Sequence, residues 1–422
     1  MTSVGPLPRL AYLTSLFPAV SHTFIQREIA GLREIGYSVE TCSIRRPEAR
    51  HLTGAEEREA ESSTFYVIDA ARRQLLAAIL SALARPRSLG AALALAWRTA
   101  PPGFVGGLKQ LAYLAEAMIL TRHLRSQGIE HLHNHFAGPS ANVAMLASTL
   151  SGIPFSYSLH GPSDLIEPFN WHLREKTQRA AFVACISQFA RSQAMLHSDP
   201  ACWPKLRIVH CGVSPERYRG AGPNDTAGNR LVFVGRLAPA KGLRVLFEAL
   251  AQVHKTRPDL TLTVIGDGDD RDALESLAAP FGDAMAFTGN LSQDGVAKAL
   301  VASDIMVLPS FAEGLPVVLM ESLASARPVV ATRVAGVSEL VEDGVSGFIV
   351  SPGDPEMLCE RILRLADDAE LRRCMGEAGR ARVVAEFDAN KEAARIGALF
   401  ADLGGDDPRP DPLHPMDQDA DM

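Results

Sequence analysis

Arg236 and Lys241 stand at a predicted strand-to-helix turn, in the run Phe233-Val234-Gly235-Arg236-x4-Lys241-Gly242. A guanidinium fork and an ammonium point charge beside exposed backbone N–H groups form a clamp for a diphosphate; a solvated surface Arg and Lys fit the same letters. Two carboxylates, Glu313 and Glu321, belong to the stretch Pro309-Ser310-Phe311-Ala312-Glu313-Gly314-Leu315-Pro316 and the apolar run Val317–Ala324 behind it. Pro316 suits the first helical position and Gly314 lets main chain approach a ligand. The helix N-terminus would then offer unpaired N–H groups to an anionic or hydroxyl-rich molecule. Carboxylates are also acceptors for paired hydroxyls. Paired acids serve glycoside hydrolases as well, but a hydrolase of neutral sugars has no use for a diphosphate clamp, whereas an enzyme consuming a sugar nucleotide does.

Other chemical groups have plainer alternatives. Gly266-Asp267-Gly268-Asp269-Asp270 resembles a metal-binding aspartate pair, yet a glycine turn with an Asp N-cap before a helix Arg271–Ala278 explains it without a metal. Thr288-Gly289-Asn290-Leu291 ends another predicted strand and can offer backbone groups to a base. His131, His133 and His135 alternate on one strand face, but no fourth ligand lies nearby in sequence; no metal is expected, His131 and His133 read as structural, and His135 is placed near the acceptor cleft. His22 divides between a site residue and a solvated loop histidine.

Positioning these groups requires parallel α/β layers. Strand-like runs alternate with helical patterns: Leu10–Phe17, Tyr37–Ile44, Ser63–Ile68, His131–Phe136, Phe155–His160, Ala181–Ile186 and Leu206–Cys211, then Leu231–Gly235, Leu260–Gly266, Met285–Thr288, Ile305–Pro309, Val329–Thr332 and Phe348–Val350. In open parallel sheets ligands bind beyond the carboxyl ends of the strands, where most of the residues above fall. Thr23 and Gln26 form a capping box for a first helix with Ile25, Ile29 and Leu32 on one face, which places the loop Pro18–His22 at a ligand crevice.

The 422 residues are 47% hydrophobic and 22% charged, ordinary globular proportions with apolar material for two cores. Six scattered cysteines suggest neither a disulfide framework nor a zinc site, and a reducing, cytoplasmic setting fits best. Of the net charge of −7, the Pro-rich stretch from Asp406 onward supplies most, with six aspartates against one arginine, and it reads as a disordered tail. Residues 71–125 are the opposite: Arg72, Arg73, Arg85, Arg87, Arg98, Lys109, Arg122 and Arg125 face Glu116 alone. Ala and Leu fill this segment rather than interleaved aromatics, so no nucleic-acid partner is expected. It offers instead an anionic membrane surface for peripheral attachment on the inner face of the cell membrane, the bland reading being a solvated positive face.

The motifs, in their order, resemble the donor domain of glycosyltransferase family 4: the Arg236/Lys241 run, Gly266-Asp267-Gly268, the E-x7-E stretch Glu313 to Glu321, and Pro328-Val329-Val330-Ala331-Thr332 through Gly336-Val337-Ser338-Glu339-Leu340-Val341. Phe17-Pro18, Ser21-His22-Thr23-Phe24-Ile25, His133-Asn134-His135-Phe136-Ala137 and Ser158-Leu159-His160-Gly161 resemble its exopolysaccharide and lipopolysaccharide branch. The resemblance implies a retaining enzyme of the GT-B fold, two doubly wound Rossmann-like domains facing across a cleft. It makes Arg236 and Lys241 diphosphate ligands and puts Glu321 on the ribose. Glu313, with Gly314, Leu315 and Pro316, falls on the donor sugar, and His160 lies across the cleft at the reacting centre, His160 and Glu313 being the catalytic pair. Gly266, Asp267, Leu291 and Ser310 complete the donor side, with Ser21, His22 and His135 on the acceptor or phosphate loop. No cofactor or metal is implied. One departure is Phe17-Pro18-Ala19-Val20-Ser21-His22, where many members carry paired glycines.

The expected organisation is an acceptor-binding domain over 1–215, a linker at 216–230, a donor-binding domain over 231–388, a helix at 389–403 packing back on the first domain, and the tail 404–422. The expected activity moves a sugar from a nucleotide diphosphate sugar to a hydroxyl of a glycan or lipid-linked acceptor. A sugar-nucleotide epimerase, a phosphorylase-like enzyme and a catalytically silent sugar-nucleotide binding protein are the alternatives.

Overall fold

The computed structural model describes residues 7–19, 22–52, 54–165, 167–218 and 227–403. Ser21 and the acidic tail lie outside them. Two parallel sheets carry the chain. The first joins β1 (Leu10–Leu16), β2 (Val39–Arg45), β3 (Phe65–Tyr66), β4 (His131–His135), β5 (Phe155–Leu159), β6 (Val183–Cys185) and β7 (Leu206–Ile208) in the order β3-β2-β1-β4-β5-β6-β7. The second joins β8 (Arg230–Val234), β9 (Thr261–Ile265), β10 (Met285–Gly289), β11 (Ile305–Leu308), β12 (Val329–Thr332) and β13 (Gly347–Val350) in the order β10-β9-β8-β11-β12-β13. Both orders reverse direction beside the first strand of the sheet, the switch point at which such sheets open a crevice. The expected two doubly wound domains are therefore present.

Burial on both faces explains why most strands read as continuous apolar runs. β4 is the exception, since all five residues of His131-Leu132-His133-Asn134-His135 are buried. His131 and His133 find hydrogen-bond partners through register. β4 pairs with β5 so that His133 lies beside Ser156 and His135 beside Ser158, and Ser156 Oγ lies 2.7 Å from both His131 Nε2 and His133 Nδ1.

The helix Ala389–Asp402, capped by Asp388, leaves the second sheet and packs on the first lobe. Val213 exchanges main-chain hydrogen bonds with Phe387 and Ala389 where the chain crosses. Tyr37 Oη donates to Gly397 O at 2.6 Å, and Phe400 packs among Tyr12, Tyr37 and Phe182. Glycine at position 31 permits the approach, since a Cβ there would lie 2.6 Å from Ala393 Cβ.

Several local expectations need correction. His22, not Thr23, occupies the cap of the helix Thr23–Glu34, without a side-chain cap bond. Gln26 is drawn instead to the other lobe, where Gln293 Nε2 donates to its Oε1 at 3.1 Å. Asp270 precedes the helix Arg271–Ala278 but makes no cap bond, and Asp267 Oδ1 accepts from Gly268 N at 2.8 Å. The strand expected over Ser63–Ile68 shrinks to Phe65–Tyr66, because the apolar run continues as the helix Val67–Leu83. Pro316 sits one residue before the helix Val317–Ala324.

Candidate active site

The loop after β8 carries Gly235 and Arg236, then the turn Pro239–Lys241 and Gly242 at φ 66°. A Cβ on Gly242 would lie 2.0 Å from Pro309 O, so the glycine lets this loop press against the one following β11. That contact seats Lys241 on Glu313: Nζ meets Oε1 at 2.6 Å, and Ser310 Oγ donates to the same oxygen at 2.6 Å. Arg236 is exposed and unpaired among the described residues. The Gly266-Asp267-Gly268 turn backs the same loop, with Leu237 N donating to Asp267 O at 2.9 Å. Leu291, half-buried, follows β10 on the flank of this group. Among the donor-side residues, the structure thus brings Lys241, Ser310 and Glu313 into direct contact.

Glu321 lies on the helix Val317–Ala324, buried, and meets the first lobe. Arg27 Nη2 donates to its Oε1 at 2.6 Å. Tyr218 lies against the same carboxylate; burial first, then the Glu321 charge, pushes its hydroxyl up. Arg27 was not singled out in the sequence. It sits 294 positions from Glu321, and its only local mark is a charge pair, Arg27-Glu28, inside an otherwise apolar-faced helix.

From the first lobe, the His160–Gly161 main chain closes on Gly314. A Cβ on Gly314 would lie 1.9 Å from His160 O, and one on Gly161 would lie 2.7 Å from Gly314 Cα. The imidazole of His160 points back into its own lobe, with Nε2 2.9 Å from His135 Nδ1 and Nδ1 3.6 Å from Cys211 Sγ. Behind His135, Nε2 is 3.4 Å from Glu28 Oε1, which also accepts from Tyr12 Oη at 2.7 Å. His135 is therefore buried behind His160 and supports it, rather than lining an open cleft. Burial, reinforced by the neighbouring imidazoles, holds His160 and His133 well below the ordinary histidine range. His22 is packed rather than solvated: its Nδ1 is 3.2 Å from Leu16 O, its ring lies beside Phe136, and burial lowers its pKa to about 4.

Among the described residues, Glu28, His133 and His135 could form a metal-ion donor set, their ligand atoms lying within 4.8 Å of one another. His133 spends both nitrogens on serines, Nδ1 on Ser156 and Nε2 on Ser158 at 2.9 Å. The group fits a hydrogen-bonded ladder better than an ion, which would have to strip a serine from His133.

Two further contacts tie the lobes. Glu339 Oε2 and Oε1 accept from Gln188 N and Phe189 N, each at 2.7 Å, so a carboxylate of the second lobe sits on the N-terminus of the first-lobe helix Gln188–Leu196. Arg217 Nη1 and Arg27 Nη2 donate to Gln293 Oε1 at 2.8 and 3.3 Å.

A solved structure of HepE from Anabaena, in complex with UDP and glucose, superposes with a TM-score of 0.69 over 93% of this chain and 99% of that one, at 19% identity. The fold is that of the GT-B glycosyltransferases. Residues 60–217 match the family described as Glycosyltransferase Family 4, and residues 228–368 match Glycosyl transferases group 1. The N-acetyl-alpha-D-glucosaminyl L-malate synthase of Bacillus anthracis is 30% identical over 311 residues, 70% of this chain and 80% of that protein. The amylovoran biosynthesis glycosyltransferase AmsK of Erwinia amylovora is 26% identical over 402 residues, 90% and 96% of the respective chains. This chain belongs to glycosyltransferase family 4 and is a hexosyltransferase.

Proposed function

We propose that the enzyme moves a hexose-type unit from a nucleoside diphosphate sugar to a hydroxyl of a glycan or lipid-linked acceptor, with retention at the anomeric carbon, in exopolysaccharide or lipopolysaccharide assembly. The observation that carries this reading is the Lys241–Glu313 pair at 2.6 Å, under the main chain of His160 and Gly161 from the opposite lobe. A cation and a carboxylate at the carboxyl ends of adjacent strands suit a diphosphate and a sugar diol held side by side. AmsK, related over nearly the whole chain, is named for the biosynthesis of an exopolysaccharide, amylovoran.

In this reading the bond between the anomeric carbon and the diphosphate oxygen breaks and the diphosphate keeps the electron pair. Lys241 and Arg236 stabilise the charge that develops there. The acceptor oxygen bonds to the same face of the sugar, and its proton passes to an oxygen of the departing diphosphate. Glu313 orients the sugar, Glu321 takes the ribose diol, and the His160–Gly161 main chain closes the site against water. Transfer proceeds without a metal ion, the two cations serving in its place, and turnover is expected to be unchanged by a chelator.

Thermal unfolding of the purified enzyme against UDP, GDP, ADP and their sugar conjugates tests the donor assignment, because a ligand held only by the native state raises the midpoint. Lys241→Ala should weaken the responding nucleotide roughly tenfold. Glu313→Gln should cut transfer about a hundredfold while the protein stays folded. Normal turnover by both variants refutes the proposal.

A further inference from the structure

The segment 67–126 forms three helices, Val67–Leu83, Pro86–Arg98 and Phe104–Ser126, packed over one face of the first sheet. Their outer surface is inverted. In the first turns of the helix Phe104–Ser126 the buried positions are Gly106 and Gln110, while Phe104, Val105, Leu108 and Leu111 face outward. Gln110 is held inside by Thr99, donating to its Oγ1 at 2.7 Å. Phe104 is 88% exposed, Trp97 85% and Leu76 71%, and Leu80, Leu83 and Leu108 are each more than half exposed. An apolar face this extensive on a folded enzyme is a contact surface.

Charge decides which partner it meets. Arg72, Arg73, Arg87, Lys109 and Arg122 on the same three helices, and Arg85 at the turn between the first two, are exposed with no carboxylate partner among the described residues. Elsewhere, half-buried arginines are paired inside the protein, Arg257 with Asp259, Arg271 with Glu275, and Arg373 with Glu370 and Glu377, while Arg236, Arg244 and Arg333 of the second lobe are also exposed without a carboxylate partner among the described residues. Glu116, the one acid between residues 71 and 125, is mostly buried, and burial pushes its carboxyl up to about 7. Large, mostly aliphatic apolar side chains beside unpaired cations match the layered chemistry of an anionic bilayer surface, acyl chains beneath phosphate. No described helix is long and apolar enough to cross a membrane.

We infer that the helices 67–126 dock this enzyme on anionic lipid, with Trp97, Phe104 and Leu108 entering the interface and the unpaired arginines meeting the phosphates. The docking stands apart from the identity of the donor sugar. Its partner is the bilayer, and basic charge alone does not account for it.

The test is co-sedimentation of the full-length protein with vesicles of phosphatidylcholine alone and of phosphatidylcholine mixed with phosphatidylglycerol. The expected result is binding to the mixed vesicles that salt weakens without abolishing. Trp97→Ser, Phe104→Ser and Leu108→Ser combined should lower partitioning by roughly tenfold or more, since burying one large apolar side chain is worth about that factor. Arg72→Gln with Arg73→Gln should lower it and remove part of the salt dependence. These are surface positions, and unchanged unfolding and nucleotide binding will show that the variants are folded. The inference is overturned if the parent ignores anionic vesicles, if the apolar triple variant binds as the parent does, or if that variant instead dissociates an oligomer of the parent.

Discussion

Arg27 of the first lobe donates to Glu321 Oε1 of the second at 2.6 Å, and both side chains are nearly withdrawn from solvent. Arg27 Nη1 finds no partner among the described residues, so the guanidinium is held to the other lobe mainly by this contact and the longer one to Gln293. A carboxylate with four lone-pair sites can keep Arg27 and still accept from a diol. Arg27 thereby joins the lobes at the carboxylate proposed to take the ribose.

The two residues should separate in their effects. Glu321→Ala is expected to weaken nucleoside diphosphate binding by roughly tenfold, the cost of losing hydrogen bonds to a charged acceptor. Arg27→Ala is expected to leave that affinity nearly intact and to lower turnover, because the nucleotide still finds Glu321 while the lobes lose a tie. Calorimetric binding beside steady-state rates measures both. Equal loss of affinity in the two variants would mean that Arg27 itself contacts the nucleotide.

Gly314 meets the opposite lobe so closely that any side chain must force a shift, since its Cβ would lie 1.9 Å from His160 O. Gly314→Ala should therefore hold the lobes apart without disturbing either core. Turnover falls about a hundredfold, as expected when reacting groups are displaced by an ångström or so. The unfolding midpoint stays within a few degrees of the parent, and small-angle scattering shows a wider particle. Parental turnover would mean that closure is not needed.

Protonation should act on stability through the β4 histidines. Burial lowers His131 to about 3, so the unfolded chain takes up a proton near pH 6.5 while the folded chain waits until about pH 3. A base depressed in the folded state contributes stability that is present above pH 6.5 and lost as pH falls toward 3. Burial raises Glu392 to about 7 and Asp164 to about 6, which works the other way, adding stability as pH falls through those values. His131→Gln should cost about 1–3 kcal/mol at neutral pH by loosening contacts with Phe182 and Phe400. That gap should shrink as pH drops from 6.5 to 4 in thermal melts. A constant gap would contradict the assignment.

How much of this was legible beforehand depended on distance along the chain and between lobes. Lys241, Ser310 and Glu313 were readable because adjacent parallel strands must present their carboxyl-end loops side by side, whatever the packing above them. The alternation of His131, His133 and His135 was equally plain. Its meaning was hidden, because the serines that satisfy it sit on β5 and only the β4–β5 register brings them opposite. Arg27 was not singled out, and Glu339 entered only within a family motif, its capping role unread: both pair across lobes, and nothing local to either residue encodes the relative orientation of two sheets. The failed capping box at Thr23 has the same origin, with Gln26 drawn to Gln293 instead of to its own helix end.

Glu339 supplies the remaining prediction. Its two oxygens accept from Gln188 N and Phe189 N at 2.7 Å, completing a helix N-terminus that belongs to the other lobe. Capping by a carboxylate is worth about 1 kcal/mol, helped by the helix dipole, and here that energy exists only when the lobes are together. Glu339→Ala should therefore shift the population toward the open form by roughly fivefold, which lowers kcat/KM by a similar factor. Glu339→Gln keeps one acceptor and should fall between parent and Ala. Nucleotide binding to the second lobe should be unaffected, since Glu339 meets the protein and not the ligand. A loss confined to thermal stability, with kcat/KM unchanged, would show that the contact braces the fold and has no part in closure.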